Sequence, residues 1–149
     1  MSDSSRSPKT VTIFGASGFL GRHVTRALAK RGYRIRAAVR RPDLAGHLQP
    51  LGDVGQISPI QANLRHRWSV ERALDGADAA INLVGILFES GKQSFTAVQE
   101  FGAKAIAQGC AERGIPMVHV SAIGADPEAE ASYARTKGRA EQAVLKALG

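Results

Sequence analysis

The sequence predicts an α/β fold: a doubly wound parallel sheet of strand order 3-2-1-4-5, enclosed by helices in a three-layer αβα arrangement. Three observations predict it. Strand-like and helix-like runs alternate with short connections along the 149-residue chain. The first strand run breaks into glycines at 15, 18 and 21 and then resumes with helical periodicity. The fourth and fifth strand runs, AAINLV and MVHV, are almost continuously apolar, as strands covered by helices on both faces must be.

Residues 1–8 read as a disordered leader, because MSDSSRSP offers no apolar periodicity. Residues 9–149 read as one nucleotide-binding domain. Strands are expected near 10–14, 34–39, 57–60, 79–83 and 117–121, and helices near 18–31, 69–75, 94–113 and 134–147. The first helix carries an apolar stripe of Leu20, Val24, Ala27 and Leu28 and stops at Gly32. Pro42 to Gly55 contains two prolines and three glycines, which leaves room only for a short helix and a turn. Phe95, Val98, Phe101 and Ile106 give the long helix an apolar face that reads as core or interface. Right-handed crossovers between such strands open a cleft at the carboxyl ends of strands 1 and 4.

The glycine spacing says what that cleft holds. In VTIFGASGFLG, Gly15 turns the strand into the helix, and Gly18 brings backbone N–H groups up to a pyrophosphate. Gly21 lets the helix lie close to the strand. The loop of Gly15, Ser17, Gly18, Phe19, Leu20 and Gly21 therefore reads as the phosphate cradle of a dinucleotide, with the helix dipole favouring the anion. Such a sheet with such a loop is Rossmann-like.

Composition narrows the class. With 44% apolar and 22% charged residues the chain is globular, and no run of about 18 apolar residues exists to span a membrane. No secretory signal opens it, so a cytoplasmic location is expected. The lone Cys110 falls in a packed helix and fits a reducing compartment. His23, His47, His66 and His119 show no metal-ligand spacing, so no metal is expected. Residues 1–75 carry 13 basic and 5 acidic side chains, against 7 and 8 in 76–149. Arg31, Arg34, Arg36, Arg40 and Arg41 lack interleaved aromatics, so this excess reads as solvated element ends plus an anion-binding cleft and not as a nucleic-acid surface.

At the end of the second strand, where an acid would bind the ribose 2′-hydroxyl of NAD, the chain places Arg40. A guanidinium pairs with a 2′-phosphate, so NADP(H) is expected ahead of NAD(H), with Arg41 as helper or alternative. The competing reading makes both arginines members of a solvated strand end. Asn63 and Leu64 follow the third strand where such folds line the adenine, although asparagine there is equally a turn residue. Leu83, Val84 and Gly85 follow the fourth strand beside the nicotinamide-ribose path. Ser121 ends the fifth strand, and Tyr133 and Lys137 stand four apart on one helix face. An ammonium beside a phenol favours the phenolate, so Tyr133 can exchange a proton with a carbonyl while Lys137 also holds ribose hydroxyls and Ser121 bonds the substrate oxygen.

Taken together, GASGFLG, Asn82, Ser121 and the Tyr133/Lys137 pair resemble the short-chain dehydrogenase/reductase superfamily in its extended or atypical branch. HLQPLGDVGQ (47–56), INLVG (81–85) and HVSAIGAD (119–126) narrow the resemblance to the 39-kDa nucleotide-binding accessory subunits of respiratory complex I and their bacterial relatives. The HLQPLGDVGQ stretch shows no structural necessity in its sequence. The resemblance implies a tightly bound, structural NADPH and partners among complex I subunits at the membrane surface, on the cytoplasmic face or the matrix side. Reductases and sugar-nucleotide epimerases of the superfamily supply the alternative, an enzyme acting on a carbonyl or alcohol. Gln99 stands where many active members carry asparagine, and the chain reads as lacking the C-terminal substrate-binding part of such relatives.

Overall fold

The computed structural model describes residues 9–84 and 101–120, together with helical positions 142, 144, 145 and 147. The expected leader and most of the last helix lie outside the described residues. Five strands, β1 Thr10–Phe14, β2 Arg34–Val39, β3 Ile57–Gln61, β4 Ala79–Asn82 and β5 Met117–His119, stand in the order β3-β2-β1-β4-β5. All four pairings are parallel, with Ile13 of β1 beside Ala37 of β2 and Ile81 of β4. The helices are α1 Phe19–Lys30, α2 Arg67–Leu74 and α3 Gly102–Arg113. Two 3-10 turns, Pro42–Leu44 and Gly46–Leu51, fill the irregular stretch between β2 and β3.

The sheet divides the core in two because side chains alternate between its faces. Val11, Ile13, Ile35, Ala37, Val39 and Ile57 meet Ala29 of α1 and Leu48 of the second 3-10 turn. On the other face Phe14, Ala38 and Ala80 meet Val70 and Leu74 of α2 and Ile106 and Cys110 of α3. The expected stripe on α1 is corrected in one respect: Leu20 and Ala27 are exposed, and the inward line is Gly21, Thr25 and Ala29, flanked by Val24 and Leu28. The cause is proximity. A helix pressed this close to β1 must put its smallest residues innermost.

Side chains close the helix carboxyl ends, where backbone carbonyls lack intrahelical partners. At the end of α2, the Thr12 hydroxyl donates to Ala73 O at 2.7 Å, and Arg36 Nη1 donates to Ala73 O at 2.7 Å and Asp75 O at 2.6 Å. Arg36 is thus a structural donor rather than part of a solvated strand end. At the end of α1, Gln56 Nε2 donates to Ala29 O at 2.7 Å and Tyr33 O at 2.8 Å, while Gln56 Oε1 accepts the Asp53 N–H at 2.9 Å. A Cβ on Gly52 would lie 2.7 Å from Gln56 Oε1, so the clamp needs glycine there. Leu48 of the same stretch is fully buried. The HLQPLGDVGQ stretch therefore straps α1 to the start of β2, a structural role that its sequence alone does not display.

Across the opposite layer, Arg67 pairs with Glu112 at 2.8 Å and with Glu71 at 3.2 Å, and Arg113 pairs with Asp75 at 2.6 Å. These exposed pairs set the relative orientation of α2 and α3 more than they add stability. Beneath them Cys110 is fully buried, and desolvation pushes its thiol up to about 11.

Replacing Gln56 by leucine removes its bonds to Ala29 O and Tyr33 O and leaves Ala29 O with the Gly32 N–H, so urea denaturation should show a loss of about 1–3 kcal/mol. For Cys110, about one thiol in a thousand is ionised at pH 8, so a disulfide-exchange reagent should label the native protein slowly and the urea-unfolded protein at once. Rapid labelling of the folded protein would show that the thiol is accessible after all.

Candidate dinucleotide site

The first βα turn is built from three glycines under three different constraints. Gly15 has φ +83°, and a Cβ there would meet Val84 N at 3.0 Å and the Leu83 carbonyl carbon at 3.1 Å. A side chain is refused on both counts. Gly21 is buried, and its Cβ would fall 2.6 Å from Ala16 Cα and inside contact distance of Gly15 O. Gly18 is different. It is exposed, its backbone is extended, and the nearest atom to a Cβ is Gly15 O at 3.6 Å, so packing alone permits a side chain.

What Gly18 leaves open is the start of α1. The first helical bond runs from Arg22 N–H to Gly18 O at 2.9 Å. The N–H groups of Phe19, Leu20 and Gly21 precede it and have no intrahelical acceptor. No side chain among the described residues caps this turn, and no acid stands in it. Ser17 is exposed beside the turn, and Leu20 is half exposed on its rim. The residues present fit an anion at this end, and the dinucleotide pyrophosphate is the anion this cradle accommodates.

At the carboxyl end of β2, Arg40 and Arg41 are both exposed. Arg41 is engaged side-on by Asp43, with Nε donating to Oδ1 at 3.2 Å and Nη2 donating to Oδ2 at 3.0 Å. This guanidinium holds the Asp43 carboxyl below its ordinary range. At the end of β3, Asn63 serves as a turn residue: its Oδ1 accepts the Arg65 N–H at 3.0 Å, and its own N–H donates to Ser69 Oγ at 2.9 Å. Leu64 is buried in the α2/α3 layer. It also forms one wall, with Phe101, Lys104 and Gln108, of an open hollow of about 440 Å³.

The β4 side is tied down by its own hydrogen bonds. Leu83 N–H donates to Phe14 O at 2.9 Å, and Val84 N–H donates to Asn82 Oδ1 at 3.1 Å. Leu83 and Val84 thus offer a ligand side chains and carbonyls, not backbone donors. With Oδ1 facing the Val84 N–H, Asn82 Nδ2 lies 3.1 Å from His119 Nδ1. Sequence reasoning treats His119 as a hydrogen-bonded core residue but misses its partner. The available signal is one polar residue in each of two adjacent apolar runs, and the register does place Asn82 beside His119. Gly85, Ser121, Tyr133 and Lys137 lie outside the described residues.

The contrast between Gly18 and Gly21 is testable. Gly18→Asp should keep or raise apo stability, by about 0.3 kcal/mol, because aspartate is a slightly better N-cap than glycine. The same carboxylate takes the amides the pyrophosphate needs, so the thermal shift with NADPH should vanish. Gly21→Ala should instead lower the apo melting temperature.

Comparison with known proteins agrees with this geometry. The chain is 35% identical over 136 residues to the mitochondrial NADH-ubiquinone oxidoreductase 40 kDa subunit of Neurospora crassa, covering 91% of this chain and 36% of that protein. It is 32% identical over 137 residues to the ceramide reductase of Caulobacter vibrioides, covering 92% of this chain and 42% of that protein. The chain thus spans less than half the length of these curated relatives. Among solved structures, the Bordetella bronchiseptica enzyme WbmH in complex with NAD+ superposes with a TM-score of 0.75 at 17% identity, over 94% of this chain and 53% of that one, a likeness of fold. A family model described as NAD(P)H-binding matches residues 15–147, and the chain belongs to that family.

Proposed function

We propose that the chain holds NADP(H) as a structural ligand, as the nucleotide-binding domain of a protein like the complex I accessory subunits. The uncapped first turn of α1 behind Gly18 carries the reading, since nothing else in the described fold needs three donors left open there. The arginines at the end of β2 support the phosphorylated dinucleotide over NAD(H). Likeness to the Neurospora crassa subunit supports partners among the subunits of a respiratory complex. Among the described residues no helix is long and apolar enough to cross a membrane, so attachment would be peripheral, at the cytoplasmic face or the matrix side.

A second reading, an NADP-dependent reductase or epimerase acting on a carbonyl or alcohol, is favoured by the likeness to a ceramide reductase. Ser121, Tyr133 and Lys137 would carry its proton transfer. The two readings separate on turnover: the structural reading expects stabilisation by NADPH without oxidation of it in a carbonyl screen. The enzymatic reading expects turnover that Tyr133→Phe abolishes.

Cofactor identity is tested by releasing nucleotide from freshly purified protein and weighing it by mass spectrometry, where a NADP(H) mass is expected. Arg40→Asp should then weaken NADPH by about tenfold or more while sparing NADH, as expected when a charged hydrogen bond to a phosphate is lost. Equal losses for both would remove Arg40 from the 2′-phosphate role.

A further inference from the structure

We infer that Asp43 tunes which dinucleotide the end of β2 accepts, by occupying the guanidinium edge of Arg41 that a 2′-phosphate would otherwise take. The inference rests on the dinucleotide reading of the site. Two arginines in succession at a strand end would ordinarily give a phosphate two partners. Here Arg41 is engaged by Asp43. Both Nε and Nη2 of Arg41 donate to the Asp43 carboxylate, the parallel two-bond geometry that phosphates and carboxylates share and therefore compete for.

The carboxylate is delivered by the backbone. Pro42 opens the 3-10 turn between the two residues, and Ala45 N–H donates to Pro42 O at 3.1 Å, which closes it. Asp43 therefore returns over Arg41 on a short side chain from a fixed turn. Both partners are exposed, 66% for Arg41 and 62% for Asp43, so burial does not lock the pair and a phosphate can exchange for the carboxylate at small cost. Arg41 keeps the carboxyl ionised through neutral pH, so the competing charge is always present. Arg41 is neutralised at rest, and a 2′-phosphate dianion meets a negative charge beside it. The 2′-hydroxyl of NADH meets no such repulsion. Asp43 thus narrows the preference for NADPH that Arg40 and Arg41 would produce together.

The test is a titration of NADPH and NADH, each by calorimetry, against the wild-type chain and the Asp43→Asn, Arg41→Ala and doubly substituted variants. Asp43 is exposed and asparagine nearly isosteric, so an unchanged apo melting temperature is the control for folding. Asp43→Asn should tighten NADPH by about three- to tenfold with NADH unchanged or weaker, and the gain should shrink at about 0.5 M salt. In the Arg41→Ala background the gain should be smaller, because the released guanidinium edge no longer exists. A NADPH-to-NADH ratio that Asp43→Asn leaves unchanged would falsify the inference while leaving the dinucleotide reading intact, and so would equal tightening of both. Failure of the wild-type chain to bind either nucleotide would overturn that reading and the inference with it.

Discussion

The fold is organised by one close approach, that of the first turn of α1 to the end of β1. Gly21 lies almost against Ala16 and Gly15 O, and Gly15 lies against the backbone of Leu83 and Val84 at the end of β4. Three segments meet with no side chain between them. This contact fixes where α1 begins, and so where its unpaired amides point. A single added methyl at either glycine must move the helix, the strand end or both, since packed interiors have no spare volume at that scale. The anion site is therefore a product of core packing rather than an addition to it.

The polar groups are distributed to match. At the amino-terminal edge of the sheet, helix ends are closed by specific donors: Gln56 on α1, and Thr12 with Arg36 on α2. At the carboxyl edge, no side chain among the described residues caps the first turn of α1. These carbonyls are satisfied internally, while the leading N–H groups of α1 are left open. The α1 macrodipole thus has its negative end quenched by Gln56 and its positive end available to an anion. Water satisfies such amides when no ligand is present, so the open edge costs the fold little.

Much of this is legible in the chain. Alternation of strand and helix runs predicts the order β3-β2-β1-β4-β5, and the glycine spacing predicts the turn, because both signals are local and periodic. What is not legible depends on partners distant in sequence. HLQPLGDVGQ looks unnecessary because Gln56 acts on Ala29 and Tyr33, more than twenty residues away. Arg36 looks solvated because its acceptors, Ala73 and Asp75, lie on a helix that the sequence does not place beside β2. Arg41 looks like a free helper to Arg40, and only the turn at Pro42 brings Asp43 back onto it. Leu20 looks like core because periodicity reports a stripe's spacing but not how near the helix lies to the sheet.

The Asn82–His119 pair shows why polar residues stand in two otherwise apolar strands. Asn82 is buried and His119 half-buried, and a buried amide carries a desolvation cost of about 1–3 kcal/mol unless it is hydrogen-bonded. Placed at matching register in β4 and β5, they bond one another, and Asn82 Oδ1 remains to take the Val84 N–H just beyond the strand. That last bond turns the chain at the same atom, Val84 N, that bars a side chain from Gly15. The carboxyl ends of β1, β4 and β5 are thereby tied into one joint. Asn82 thus faces two partners, the Val84 N–H through its carbonyl oxygen and His119 Nδ1 through its amide nitrogen. The amide is the side chain that supplies both atoms at once.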